Sequence, residues 1–104
     1  MNEIKLYDNI KNSIIESGKK YGIEKIVLFG SRARGDSKER SDIDLAVYGG
    51  NVEEFYVDIE ENVFTLLKFD VVDMNKSVQK ELIESINNEG VIIYEKIWEL
   101  LCCI

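Results

Sequence analysis

The sequence contains no histidine and no proline, and it has only two cysteines in 104 residues. Because histidine is the commonest general base and transition-metal ligand, its absence excludes the usual catalytic triads and most such metal sites. The cysteines, Cys102 and Cys103, are adjacent, a spacing that fits neither a zinc site nor a disulfide. Carboxylates are the strong metal ligands that remain, and they favour Mg²⁺ or Mn²⁺. Any metal chemistry should therefore be that of a hard divalent cation.

Positive charge is also scarce, since 13 Lys and Arg stand against 20 Asp and Glu, for a net charge of −7. Nucleic-acid binding normally requires clustered cations, so DNA or RNA is not expected as the main ligand. The sequence has no run of 18 apolar residues and no basic-then-apolar leader, which predicts a soluble, cytoplasmic protein without a membrane span. The composition, 45% hydrophobic and 32% charged, predicts a single globular domain over residues 1–104.

Apolar periodicity predicts helices that alternate with short strands. The predicted helices run from Ile4 to near Gly18-Lys19-Lys20, from Val52 to Leu66, from an N-cap at Ser77 to Asn88-Glu89-Gly90, and from Ile97 to Ile104. The predicted strands are Ile26 to Phe29, Asp42 to Tyr48, Phe69 to Asp73 and Val91 to Tyr94. Because the connection between the first two strands is short, we expect them to form an antiparallel pair. The pattern indicates an α/β or α+β fold in which one sheet packs against helices.

A polar stretch from Gly30 to Ser41, with at most one helical turn, leads into the pair Asp42 and Asp44. Aspartate is disfavoured in strands and costly to bury without a partner, so this Asp-x-Asp requires an explanation. On a strand, residues two apart project from the same face. Two neighbouring carboxylates repel each other, and a bound divalent cation would cancel that repulsion. We therefore predict a metal site here.

The glycine-serine pair that precedes this stretch is typical of a phosphate-binding turn. Gly30 lets the backbone turn and leaves room for a phosphate, while Ser31 adds a hydroxyl and opens a turn whose amides could point at an anion. A P-loop is excluded, although Gly35 has the right spacing, because Asp36 stands where the phosphate-binding lysine is required. A calcium loop is excluded because Ala46 stands where a third oxygen ligand is required.

A third carboxylate should come from the strand that begins at Phe69. Asp70 lies deeper in this apolar run than Asp73, which is better explained as a strand-end cap, so we predict that Asp70 joins the site.

Taken alone, a glycine-serine pair is usually a turn, an Asp-x-Asp is usually a solvated strand end, and Arg32 and Arg34 would usually lie in a solvated loop. The combination of these elements at this spacing is what indicates function.

Gly30-Ser31, ten further residues and Asp42-Ile43-Asp44 resemble the G-S-x10-D-x-D signature of the minimal nucleotidyltransferases, a branch of the DNA polymerase β superfamily. The resemblance covers roughly residues 20–95, through FGSRARGD, SDIDLAV, FDVVDM and EGVIIYE. It implies a single mixed β-sheet flanked by helices, the palm-like nucleotidyltransferase fold. It also implies that Asp42, Asp44 and Asp70 are catalytic and bind two Mg²⁺ ions, or Mn²⁺, with Gly30 and Ser31 on the triphosphate of ATP.

The resemblance further implies an in-line displacement at the α-phosphate, in which Asp70 would also accept the proton of the incoming hydroxyl. Arg32 and Arg34 would be nucleotide-binding charge stabilisers. Minimal members are typically paired with a helical HEPN protein (higher eukaryotes and prokaryotes nucleotide-binding). This implies an antitoxin that transfers AMP from ATP to a tyrosine of its HEPN ribonuclease toxin. Two alternatives stay open: an antitoxin that acts by binding alone, and a transferase with a small-molecule or RNA acceptor.

Overall fold

A computed structural model of the chain describes residues 8–35, 42–63, 65 and 67–96. The elements in these ranges are, in chain order, α1 (Asp8–Lys20), β1 (Lys25–Phe29), α2 (Ser31–Arg34), β2 (Ile43–Tyr48), α3 (Val52–Asn62), β3 (Phe69–Asp73), α4 (Lys80–Glu89) and β4 (Val91–Glu95). Helices and strands alternate as the apolar periodicity predicts. In these ranges no helix is both long enough and apolar enough to cross a lipid bilayer.

The four strands form one mixed sheet in the order β3-β2-β1-β4. β1 is antiparallel to β2, as predicted, and it is also antiparallel to β4. β2 and β3 are parallel, because the chain crosses back over the sheet through α3 between them. The predicted fold class, a mixed sheet flanked by helices, is confirmed.

Helices cover both faces of the sheet, and the alternation of strand side chains supplies a core to each. The larger core joins α1 and α3 to one face, with Ile14 and Phe55 fully buried. The smaller core joins Ile86 of α4 to the other face, which includes Ala46 of β2. Since side chains two apart share a face, Asp44 projects from the α4 side of the sheet.

Three predicted boundaries are wrong. The N-cap at Ser77 is incorrect, because α4 begins at Lys80 after an extended Gln79 (φ −60°, ψ 141°), whose carbonyl accepts from the Leu82 and Ile83 amides. The helix predicted to reach Leu66 ends at Asn62, where the chain becomes extended. The strand predicted from Asp42 begins one residue later. These differences arise because periodicity marks a buried stripe but not the residue at which backbone dihedrals change.

Some predictions concern residues outside the described ranges. The start of the first predicted helix, including Ile4, lies there. The final helix predicted over Ile97 to Ile104 also lies there, together with Cys102 and Cys103.

Candidate active site

The predicted site residues meet where the end of β1 lies beside the starts of β2 and β3. Phe29, the last residue of β1, pairs with Asp44 of β2, and Asp44 pairs in turn with Asp70 of β3. Phe29, Asp44 and Asp70 therefore form one row across three neighbouring strands of the sheet. Gly30 directly follows Phe29, so the glycine-serine turn lies at one end of this row and Asp70 lies at the other.

The backbone at Gly30 adopts a conformation that other residues rarely reach, with φ 74° and ψ −156°. A Cβ atom at this position would overlap Oδ2 of Asp44 and lie 3.2 Å from its Cγ. The turn and the carboxylate are thus in direct contact. The following helix α2 is a single turn, as predicted, and it ends at Gly35 in the left-handed region (φ 81°).

The surroundings of Asp44 raise the pKa of its carboxyl group. Burial is the largest cause, followed by the negative charges of Asp70 and Asp42, and together they raise the pKa of Asp44 from 3.8 to about 6. A hydrogen bond shared with the Asp70 side chain acts in the same direction, whereas the charge of Arg32 lowers the pKa. Closely spaced oxygen donors that repel one another fit a hard divalent cation, which would relieve that repulsion.

The structure brings the three predicted carboxylates together to different degrees. Asp44 and Asp70 are aligned and hydrogen-bonded, while Asp42 is exposed just outside β2 and acts on Asp44 through its charge. Within the described ranges, no three His, Cys, Asp or Glu side chains are already arranged as a metal-ligand group. In the described part of the chain, the sheet register therefore fixes the pairing of Asp44 with Asp70.

The two predicted nucleotide-binding arginines have different surroundings, a distinction that the sequence does not make. Arg32 is 3% exposed, and its positive charge acts on Asp44. Arg34 is half-exposed, and its Nη1 lies 2.7 Å from Oε2 of Glu89, at the end of α4. Sequence reasoning missed Glu89, because no local pattern signals an ion pair between residues this far apart in the chain.

Two further residues clarify the limits of the site. Asp73 pairs with Val47 rather than Asp44, and its Oδ1 accepts from the Asn75 amide at 3.0 Å, so it caps the end of β3 as expected. Tyr56 belongs, with Phe55 and Ile59, to the apolar positions that predict the helix over Val52 to Leu66, but it is 38% exposed. Its pKa is raised above 10.0 first by the charge of Glu60, and the charge of Asp70 contributes. Tyr56 therefore lies on the Asp70 side of the site.

Residues 12–97 match the family described as "Polymerase beta, Nucleotidyltransferase". This range includes most of the chain and every predicted site residue. The chain belongs to this nucleotidyltransferase family. It is accordingly a transferase enzyme.

Named relatives agree with this assignment. A Methanocaldococcus jannaschii protein named "Putative protein adenylyltransferase MJ0604" is 33% identical over 103 residues, which cover 90% of this chain and 100% of the relative. A crystal structure of a toxin-antitoxin with AMP-PNP superposes with a TM-score of 0.66 at 24% identity, covering 86% of this chain and 76% of that one. A mutant form of the toxin-antitoxin MntA-HpeT superposes with a TM-score of 0.65 at 23% identity, covering 91% and 77%. These two structures show a shared fold.

Proposed function

We propose that this nucleotidyltransferase is a cytoplasmic protein adenylyltransferase that transfers AMP from ATP to a tyrosine of a HEPN-type ribonuclease toxin, and so acts as its antitoxin. The observation that carries the proposal is the row formed by Gly30, Asp44 and Asp70. It joins a phosphate-sized backbone turn to paired carboxylates. The adenylyltransferase name of the archaeal relative and the toxin-antitoxin context of the structural neighbours support this choice of acceptor class.

We assign the donor half of the reaction to the residues of this row and to Ser31 and Asp42 beside it. Gly30 and Ser31 hold the triphosphate, because only a glycine at position 30 leaves the backbone accessible next to Asp44. Asp42, Asp44 and Asp70 are the ligands for divalent metal, expected to be two Mg²⁺ ions. Bound metal supplies charge neutralisation for the triphosphate and lowers the pKa of the attacking hydroxyl.

The remaining groups orient substrates and move the proton. Asp70 is exposed on its strand and therefore accessible to an incoming acceptor, whose proton it accepts. Arg32 keeps a positive charge close to Asp44. It therefore favours the ionised form that metal and nucleotide require.

Three other functions are alternatives: neutralisation of the partner by binding alone, transfer to an RNA, and transfer to a small molecule. A subunit that neutralises its partner by binding alone would gain nothing from a row of mutually repulsive carboxylates. A transferase with an RNA acceptor is disfavoured by the net charge of −7. A small-molecule acceptor would leave the partner protein unmodified.

The test is to incubate the protein with ATP, Mg²⁺ and the product of the adjacent gene, and then to measure both proteins by intact mass spectrometry. We expect an AMP-sized mass gain on the partner that is lost in Asp42→Asn/Asp44→Asn. Glu95→Gln is the matched control, because it removes a carboxylate from the exposed end of β4, away from the row and from β3. A partner that is neutralised without any mass gain would replace this proposal with binding alone.

A further inference from the structure

The position of Asp70 on β3 determines from which side an acceptor can approach. β3 is the terminal strand of the sheet formed by the described residues, and the row that begins at Gly30 ends there with Asp70. In an in-line displacement, the nucleophile and the leaving group lie on opposite sides of the reacting phosphorus. If pyrophosphate leaves on the Gly30 side, as the proposed function requires, the acceptor must approach from beyond the outer edge of β3.

The outer edge of β3 carries backbone groups that point away from the sheet. Ile43 donates its amide to Lys68 O at 2.9 Å, and Met74 donates its amide to Val47 O at 2.9 Å. In a parallel pair these bonds use alternate residues, so the amide groups of Phe69 and Val71 face outward. No strand in the described ranges pairs with them.

A groove of about 290 Å³ runs between this edge and α3. Its lining is mixed: Val52, Tyr56, Phe69 and Val71 contribute apolar or aromatic surface, and charged side chains surround them (Glu53, Lys68, Asp70, Asp73 and Lys76). A strand added to β3 would alternate its side chains between the two faces of the sheet. One of its side chains would lie beside Asp70, and the side chains before and after that one would lie on the α3 side, where the groove is.

We propose that the edge of β3 binds the acceptor as an added β-strand: an extended segment of the partner protein, with its tyrosine opposite Asp70 and an apolar neighbour of that tyrosine in the groove. This inference rests on the proposed function and names how its protein substrate is recognised. Strand addition supplies affinity through backbone hydrogen bonds and supplies selectivity through the groove. Neighbouring strands lie about 4.8 Å apart, which brings the tyrosine onto the same face as Asp70.

The proposed transfer exchanges one bond to the α-phosphorus for another. The tyrosine oxygen forms a bond to the α-phosphorus of ATP while the bond from that phosphorus to the bridging oxygen of the β-phosphate breaks. The phenolic proton passes to Asp70, and pyrophosphate leaves on the Gly30 side.

A second copy of this chain is a poorer occupant of the same edge. Pairing of two β3 edges would bring two copies of Asp70 and two of Asp73 onto one narrow strip. Like charges that face each other across strands are destabilising. A partner that contributes a neutral tyrosine and an apolar side chain meets no such repulsion.

The discriminating substitution is Val71→Pro. Proline removes the outward-facing amide of position 71 and obstructs an added strand, but it leaves the hydrogen bonds between β2 and β3 intact. Val71→Ala is the matched control, because it also removes the branched valine side chain but keeps the amide N–H. We expect the rate of AMP transfer to the adjacent-gene product to fall about tenfold or more in Val71→Pro and to change less than about threefold in Val71→Ala. The rise in melting temperature caused by Mg²⁺ and ATP should be equal in both variants.

Hydrogen exchange on the wild-type proteins is a second test that does not depend on the folding of Val71→Pro. The outward amides of residues 69–73 should be protected in the complex with the partner and exchange faster in the chain alone. Absence of added protection, or equal transfer by Val71→Pro and Val71→Ala, would overturn the β3 docking site. Protection that appears at high concentration of this chain alone would assign the edge to a second copy instead. A wild type that binds the partner through β3 without modifying it would contradict the proposed function only.

Discussion

Asp44 on β2 and Asp70 on β3 are aligned in register, and their side chains share a hydrogen bond. Burial is the largest cause of the rise in the pKa of Asp44 to about 6, and the negative charges of Asp70 and Asp42 raise it further. The shared hydrogen bond acts in the same direction, because two carboxyl groups can share a bond only while one of them carries a proton. The site without metal is therefore destabilised whenever both groups are ionised. This cost is the expected result of placing ligands for a divalent cation before the cation arrives.

Asp44→Asn should therefore stabilise the protein in the presence of a metal chelator. Because the pKa of Asp44 is higher in the folded chain than the ordinary 3.8, wild-type stability falls as pH rises from about 4 to about 6. The variant lacks this fall, so its advantage should grow across that window and then level off. We expect a gain on the order of 1 kcal/mol near neutral pH, since partial exposure screens the repulsion. Thermal unfolding across this pH range measures it.

The sign of the effect should reverse when ligand is present. Mg²⁺ and ATP should raise the melting temperature of wild type by ligand linkage but leave that of Asp44→Asn unchanged. Glu95→Gln, a similar change at the exposed end of β4, is the control and should behave like wild type in both conditions. Equal ligand-induced shifts in wild type and Asp44→Asn would remove Asp44 from the metal site.

Gly30→Ala should cost more stability than Gly22→Ala, although both glycines have a positive φ (74° and 71°). An added Cβ at Gly22 meets nothing within 4 Å, whereas at Gly30 it overlaps the carboxylate of Asp44. The Gly22 variant therefore measures conformational strain alone, about 1–2 kcal/mol. We expect Gly30→Ala to exceed it by at least about 1 kcal/mol. Urea denaturation of both variants gives the comparison.

A double-mutant cycle identifies the origin of that excess. In an Asp44→Ala background the carboxylate is absent, so the excess cost of Gly30→Ala over Gly22→Ala should shrink by the part that the overlap causes. The part that remains reflects the ψ of −156° at Gly30, which only glycine adopts readily. If the excess is unchanged without the carboxylate, the contact between Gly30 and Asp44 is not its cause.

The sequence predicts most of the fold because its strands are short apolar runs bounded by glycines or charges. It also predicts the choice of Asp70 over Asp73 as the neighbour of Asp44, because residues three apart face opposite sides of a strand and Asp70 lies deeper in the apolar run. These inferences are local, or they follow from fixed strand geometry. The roles of Asp42, Asp44 and Asp70 as metal ligands stay predictions.

The features that escaped sequence reasoning depend on distant pairings. The ion pair of Arg34 with Glu89 exists because α4 returns to the end of β1, and no spacing rule specifies that return. The exposure of Tyr56 follows from the position of β3 at the edge of the sheet, which leaves one side of α3 uncovered in the described structure. Helical periodicity alone assigns Tyr56 to the core.

Ser17→Ala should test how α1 is fixed to α3 on the face opposite the active site. The Ser17 side chain is 4% exposed, and its Oγ donates to Oδ2 of Asp58 at 2.6 Å. Loss of a buried hydrogen bond to a charged group should reduce the free energy of unfolding by about 1–2 kcal/mol. Ser13→Ala is the matched control on the same helix, because its hydroxyl donates to the carbonyl of Asn9 at an exposed position. It should change stability by less than about 0.5 kcal/mol.

The effect of Ser17→Ala should also depend on pH, in the direction opposite to that of Asp44→Asn. The hydrogen bond from Ser17, followed by the one from Asn62, lowers the pKa of Asp58 below 3.8. The stabilisation is therefore present above about pH 4 and is lost as pH falls through the lowered pKa, where a protonated carboxyl accepts a weaker bond. Denaturation at neutral pH and at about pH 3 should show the wild-type advantage shrinking on acidification. An advantage that is equal at both pH values would show that Ser17 acts through packing and not through the Asp58 charge.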